Sequence, residues 1–124
     1  MSYWFENLEV WKLSRIFTNT IYSVTKNFPK EEIFAMTNQI RRAALSITLN
    51  IAEGSDRKSD VEFIRFLRIA YGSLQEVVAA SYVALDQHYL TQEQFTGIYE
   101  SSHLLGRKLN ALVQSLKNTA GSQQ

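Results

Sequence analysis

The sequence predicts an all-α protein: a single domain over residues 1–124, folded as an antiparallel up-down-up-down four-helix bundle. Three observations predict it. Apolar residues recur at steps of three and four in four successive segments. No stretch alternates apolar and polar residues over a length useful for a strand. One proline and five glycines leave room for long regular elements, and short breaks between segments make consecutive helices antiparallel neighbours.

The first helix is expected over about 6–26. Val10, Phe17, Ile21 and Val24 form its stripe, with Trp11 and Leu13 beside it. "NFPKEE" closes this segment and opens the next: Pro29 suits a first turn, and Glu31 and Glu32 suit the positive end of a helix. The second helix is expected over about 30–53. Ile40, Ala44, Ile47 and Ile51 line it, and Gly54 is read as a left-handed C-terminal stop. The third, over about 60–85, opens on a capping box of Ser59 with Glu62 and carries Phe63, Leu67, Ala70, Leu74 and Val78. "DQHYL" breaks the chain again. The fourth, over about 92–117, opens on Thr91 with Gln94 and buries Phe95, Ile98, Leu105, Leu109, Leu112 and Leu116. Residues 118–124 are expected to fray. Gly72 and Gly106 fall mid-helix, where each costs about 1 kcal/mol against alanine, and close helix approach is the expected compensation.

Beside the isoleucine stripe of the second helix runs a polar one: Gln39, Ala43, Ser46, Asn50 and Glu53. Folding helices two and three into a hairpin brings Gln39 level with Glu76, Arg42 level with Ser73, and Ser46 beside Ala70. This predicts a structural polar seam of Gln39, Arg42, Ser46, Asn50, Glu53, Ser73 and Glu76, in which Arg42 meets Glu76 and fixes register. Arg41 lies about 100° further round. It joins Arg57, Lys58, Arg65 and Arg68, with Arg107 and Lys108, as the candidate nucleic-acid-binding cations. Between positions 41 and 68 six basic residues face four acids, a modest excess that also suits a solvated mixed-charge surface. The second helix is also apolar or small around most of its circumference, which predicts burial on more than one side and so self-association. Tyr3, Trp4 and Phe5 either join such a contact or fold back onto their own bundle.

The net charge of +1 is not that of an obvious polyanion binder, and no cysteine is present for disulfides or thiolate metal sites. No apolar run approaches a membrane span, and "MSYWFENLEVWK" lacks a signal pattern, so a cytoplasmic protein without a membrane partner is expected. "NIAEGSDRKS" has one glycine and no phosphate-loop spacing. His88 and His103 lack carboxylates at ligand spacing, and neither lies near Ser73 or Glu76 in the hairpin sketch. The expectation is no metal, no cofactor and no enzyme.

The strings "FENLEVWKLSRIF", "FPKEEIFAMTNQIRRAALSITLNIAEG" and "EFIRFLRIAYGSLQEV" resemble the family called four helix bundle protein, whose members are encoded in intervening sequences of large-subunit ribosomal RNA genes and have been misnamed ribosomal proteins. The similarity extends from about Phe5 to Leu116. The accessory variability determinant of diversity-generating retroelements is similar too. The resemblance implies a ring-like homopentamer without catalytic activity. From the retroelement relatives it implies RNA or DNA and a reverse transcriptase as partners. Those relatives are markedly basic, and this chain departs from them in that respect. The two functions in view are a non-catalytic oligomer binding nucleic acid through basic helix faces, and a protein-interaction scaffold that binds no nucleic acid itself.

Overall fold

The computed structural model describes residues 1–122, with side chains through Thr119. Four α-helices carry the fold: α1 Glu9–Thr25, α2 Met36–Ser55, α3 Asp60–Asp86 and α4 Gln92–Ser122. No strand occurs among the described residues. Short 3-10 helices at Trp4–Asn7 and Lys30–Glu32 precede α1 and α2. Each long helix packs on its chain neighbours, and α1 closes the ring against α4. All pairings are antiparallel. Thr18 hydrogen-bonds to Thr48 while Arg41 reaches back to Thr25. Gln39 meets Glu76 and Ser46 meets Ser73. Lys108 on α4 pairs with Glu9 at the start of α1, 3.0 Å apart.

The core is the apolar stripe of each helix, with Ile21, Ile40, Ile47, Ile51, Leu67 and Leu105 sealed from solvent. Most buried hydroxyls are satisfied locally or across helices, Ser81 donating to Val77 O at 2.7 Å and Thr18 to Ala44 O at 3.0 Å, while Thr37 Oγ1 is buried without a partner among the described residues. Such bonds are what a buried polar group requires.

Three boundaries differ from expectation. The second helix begins at Met36, not near residue 30. Pro29, Glu31 and Glu32 start a single 3-10 turn, with Glu32 N–H on Pro29 O at 3.0 Å. Ala35 then leaves helical geometry (φ −124°, ψ −103°), and the α-helical ladder restarts with Gln39 N–H on Ala35 O. N-terminal signals act over one turn and do not fix how many turns follow. The first helix likewise starts at Glu9, after the 3-10 helix at Trp4–Asn7. At the other end α4 runs to Ser122, past the expected end near 117, and Thr119 Oγ1 bonds back to Ser115 O at 3.1 Å. Residues 123–124 of the expected frayed tail lie outside the described residues.

Gly54 is not a left-handed stop. No glycine among the described residues has positive φ, and Gly54 sits buried within α2. A Cβ there would come within 2.6 Å of Phe66 Cβ and 3.0 Å of Phe63 Cδ1, so glycine permits the close crossing of α2 and α3. Gly106 is similar in kind: a Cβ would meet the Tyr71 ring at 3.3 Å. Gly72 is different, because open space surrounds its missing Cβ. Among the described residues the left-handed one is His88 (φ 64°), in the turn after α3.

The caps behave unequally. Thr91 and Gln94 form the full reciprocal box, at 3.0 and 2.9 Å. Ser59 accepts from Glu62 N–H at 3.1 Å, but the Glu62 carboxylate turns to Arg65 instead of back to the cap. The α3–α4 turn is tied to the 3-10 turn before α2 by Tyr89 O–H donating to Glu32 at 3.0 Å. That hydrogen bond, with smaller contributions from burial and neighbouring carboxylates, holds the phenol above its ordinary pKa.

Candidate nucleic-acid interface

The polar seam lies on the outer surface of the α2–α3 hairpin. Gln39 Nε2 donates to the Glu76 carboxylate at 2.5 Å, Ser46 and Ser73 share a hydrogen bond of 2.9 Å, and Asn50 Nδ2 donates to Ser46 O at 2.8 Å. Ser46 therefore meets Ser73 and not Ala70. Glu53 bonds within its own helix end, to Arg57. Arg42 does not meet Glu76. It is exposed and makes no ion pair among the described residues, and Gln39 is the α2 residue that reaches the Glu76 carboxylate.

The neighbouring arginine takes the structural place. Arg41 is half-buried against α1: its Nε donates to Thr25 Oγ1 at 2.7 Å, and its guanidinium lies 5.0 Å from the centre of the Tyr22 ring. The roles expected for Arg41 and Arg42 are thus exchanged. A hairpin of α2 and α3 alone leaves out the α1 flank of α2, which offers Arg41 a hydroxyl acceptor and an aromatic face.

The other candidate cations divide into two kinds. Arg57 pairs with Glu53 at 2.5 Å, Arg65 with Glu62 at 3.3 Å, and both guanidiniums flank the Phe66 ring. Lys108 is paired with Glu9. Lys58, Arg68 and Arg107 are exposed and make no ion pair among the described residues. Around the α2–α3 turn, Arg57 and Arg65 are therefore paired within their own helix ends, whereas Lys58 and Arg68 are not.

Two of the unpaired cations converge elsewhere, on a groove between α3 and α4. It consists of recesses of about 470 and 340 Å³ that share Tyr71 and Asn110. Arg68 stands on the α3 wall, and Arg107 and Lys117 on the α4 wall. No carboxylate lines either recess. Along one end run Tyr82, Tyr99 and His103, with ring centres 6.4 Å and then 4.6 Å apart. Gly106 makes the room in which Tyr71 lies in the groove. Sequence reasoning missed Tyr71, Tyr82, Tyr99, His103 and Lys117. The signal was present as a second periodic stripe on each helix, at Tyr71, Val78 and Tyr82 and at Tyr99, His103, Arg107 and Asn110.

Among the described residues no cluster of histidine and carboxylate side chains could hold a metal ion, and no helix is long and apolar enough to cross a membrane. The fold and groove together define an all-α four-helix bundle with a cationic, aromatic interhelical surface. The family model for the 23S rRNA-intervening sequence protein matches residues 6–111, and the chain belongs to that family. It is similar to a crystal structure of a protein of unknown function from the S23 ribosomal protein family of Bacteroides thetaiotaomicron, with 28% identity and a TM-score of 0.78, over 84% of this chain and 97% of that one. No curated protein matches the chain.

Proposed function

We propose that this protein is a non-catalytic, self-associating helical bundle that binds nucleic acid. The observation that carries the reading is the α3–α4 groove, in which Arg68, Arg107 and Lys117 stand without a lining carboxylate although the chain is nearly neutral overall. A local cationic surface of this kind attracts phosphate backbones through counterion release, with little dependence on sequence. The candidate set is thereby revised to Arg68 and Arg107 from the original cations, with Lys117 added and Lys58 and Arg42 as free outliers. Titration of labelled RNA and DNA should give binding at 50 mM salt that weakens about tenfold or more at 200 mM. No binding at 50 mM salt overturns the reading.

A second reading, a protein-interaction scaffold, is favoured by a different observation. Phe34 (92% exposed), Leu49 (56%) and Ile69 (48%) leave apolar surface on the α2–α3 side. Exposed aliphatic and aromatic side chains such as these suit protein contacts. We propose a second copy of the chain as its occupant, in the ring-like homopentamer that the resemblance implies. A reverse transcriptase is the further partner implied for a retroelement accessory. Recovery of a reverse transcriptase on the immobilised protein from nuclease-treated lysate supports that role, and its loss on nuclease treatment overturns a direct contact.

A further inference from the structure

We infer that the α3–α4 groove is a single-strand site, in which a polynucleotide lays its phosphates along Arg68, Arg107 and Lys117 and stacks bases on the exposed Tyr82 and His103 rings. The inference rests on the nucleic-acid reading above and adds the class of nucleic acid and the residues that select it.

The argument starts from shape. From Arg68 to Tyr82 the groove runs about 20 Å along α3, long enough for several nucleotides and sunk between two helices. A duplex keeps its base faces inside its own stack, so it reaches such a groove only with its phosphates. A single strand can turn its bases inward. The groove meets both halves of that ligand. The cations lie on both walls, Arg68 on α3 and Arg107 and Lys117 on α4, while the floor is apolar at Leu74 and Val78.

The aromatic rings supply the second half. Tyr82 is 48% exposed although it packs against Phe95, ring centres 4.7 Å apart, and edge-on against Tyr99, with interplanar angle 86°. It lines the groove. Tyr99 lies between Phe95, 5.8 Å away, and His103, 4.6 Å away, and backs the two outer rings. Stacking on an aromatic ring is tolerant of sequence because every base has a π-face. Gln75 and Asn110 add amide groups at the groove edge. An acidic peptide would satisfy the cations equally well, but it would leave the aromatic rings without flat partners.

The test is fluorescence anisotropy of fluorescein-labelled oligothymidine and oligouridine of about 15 nucleotides, beside a duplex of the same length, in 50 and 200 mM salt. The full-length protein should bind the single strands at least about tenfold more tightly than the duplex. Tyr82→Ala should weaken single-strand binding about tenfold and leave duplex binding unchanged, whereas Tyr82→Phe should keep it. Arg107→Ala should lower the salt dependence by roughly 0.7 in log–log slope. Lys12→Ala with Arg15→Ala, on α1, should change nothing, and circular dichroism melting verifies that each variant folds. If no nucleic acid binds at 50 mM salt, the nucleic-acid reading falls and the single-strand site with it. If duplex and single strand bind alike and Tyr82→Ala is silent, the groove inference is overturned while nucleic-acid binding stands. If oligoglutamate displaces the oligonucleotide and binds more tightly, the groove is a protein site and the inference is overturned.

Discussion

Adjacent arginines at 41 and 42 illustrate how little a residue's type says about its work. Arg41 donates to Thr25 Oγ1, whose own proton goes to Ile21 O at 2.7 Å, and covers the Tyr22 ring. Arg42 projects from the opposite flank of the same turn into solvent. Removing Arg41 therefore strips a cation–π contact and a charge-assisted hydrogen bond from a half-buried site. Arg41→Ala is expected to cost about 1–2 kcal/mol. Arg42→Ala should stay within about 0.5 kcal/mol. Urea midpoints at constant slope measure both, and equal effects would refute the exchange of roles. The sequence could place a polar stripe on α2, because Gln39, Ser46 and Asn50 repeat at helical spacing. It could not choose between the arginines. That choice depends on Tyr22 and Thr25, whose positions opposite α2 are known only once α1 is docked.

At the scale of the helix, glycine carries the clearest test. Gly54 and Gly72 both lie inside helices, yet their surroundings are opposite. A methyl group at 54 collides with the Phe66 backbone-proximal Cβ, which a side-chain rotation cannot relieve. A methyl group at 72 meets nothing in its own protomer. Gly54→Ala should destabilise by about 2–3 kcal/mol through overpacking, despite the gain of about 1 kcal/mol in helix propensity. Gly72→Ala should show the propensity gain alone in a monomeric background. Thermal melts followed by circular dichroism would separate the two, and a neutral Gly54→Ala would mean that the α2–α3 crossing is looser than drawn. The same contrast explains what could be read in advance. The stripe from Ile40 to Ile51 and the Thr91–Gln94 box are local patterns and were legible. The reason for Gly54 is Phe66, twelve positions on and across a turn, so its presence read as a stop. The groove escaped for the same reason: neither Tyr82 nor Tyr99 marks a site until two helices are set side by side.

For the whole molecule, the groove lies between α3 and α4 while Leu49 and Ile69 lie toward the α2–α3 side; Arg68 borders both, and Arg107 and Lys117 stand on α4, clear of the apolar face. The Ser46–Ser73 hydrogen bond sets the register of the hairpin, and it brings Leu49 to about the height of Ile69 across the seam. Gly72, with open space over it, lies one turn along. Bare backbone and aliphatic side chains at one height suit close approach by a second copy, whose burial would remove apolar area from water at about 25 cal/mol per Å². Light scattering should then give a multiple of 14.3 kDa for the wild-type protein, five-fold for the ring that the resemblance implies. Leu49→Gln with Ile69→Gln, which adds no charge beside Arg68, should reduce it to 14.3 kDa with helicity retained. Because the contact is apolar, the wild-type mass should hold from 50 to 500 mM salt and after nuclease treatment, whereas an assembly bridged by nucleic acid would dissociate. A wild-type mass of 14.3 kDa would remove self-association outright. The monomeric variant also separates avidity from intrinsic affinity. It should bind a short single strand as the wild type does, since Arg68, Arg107 and Lys117 are untouched. It should lose affinity for a long one, because linked sites gain from effective concentration only while several grooves are held on one particle.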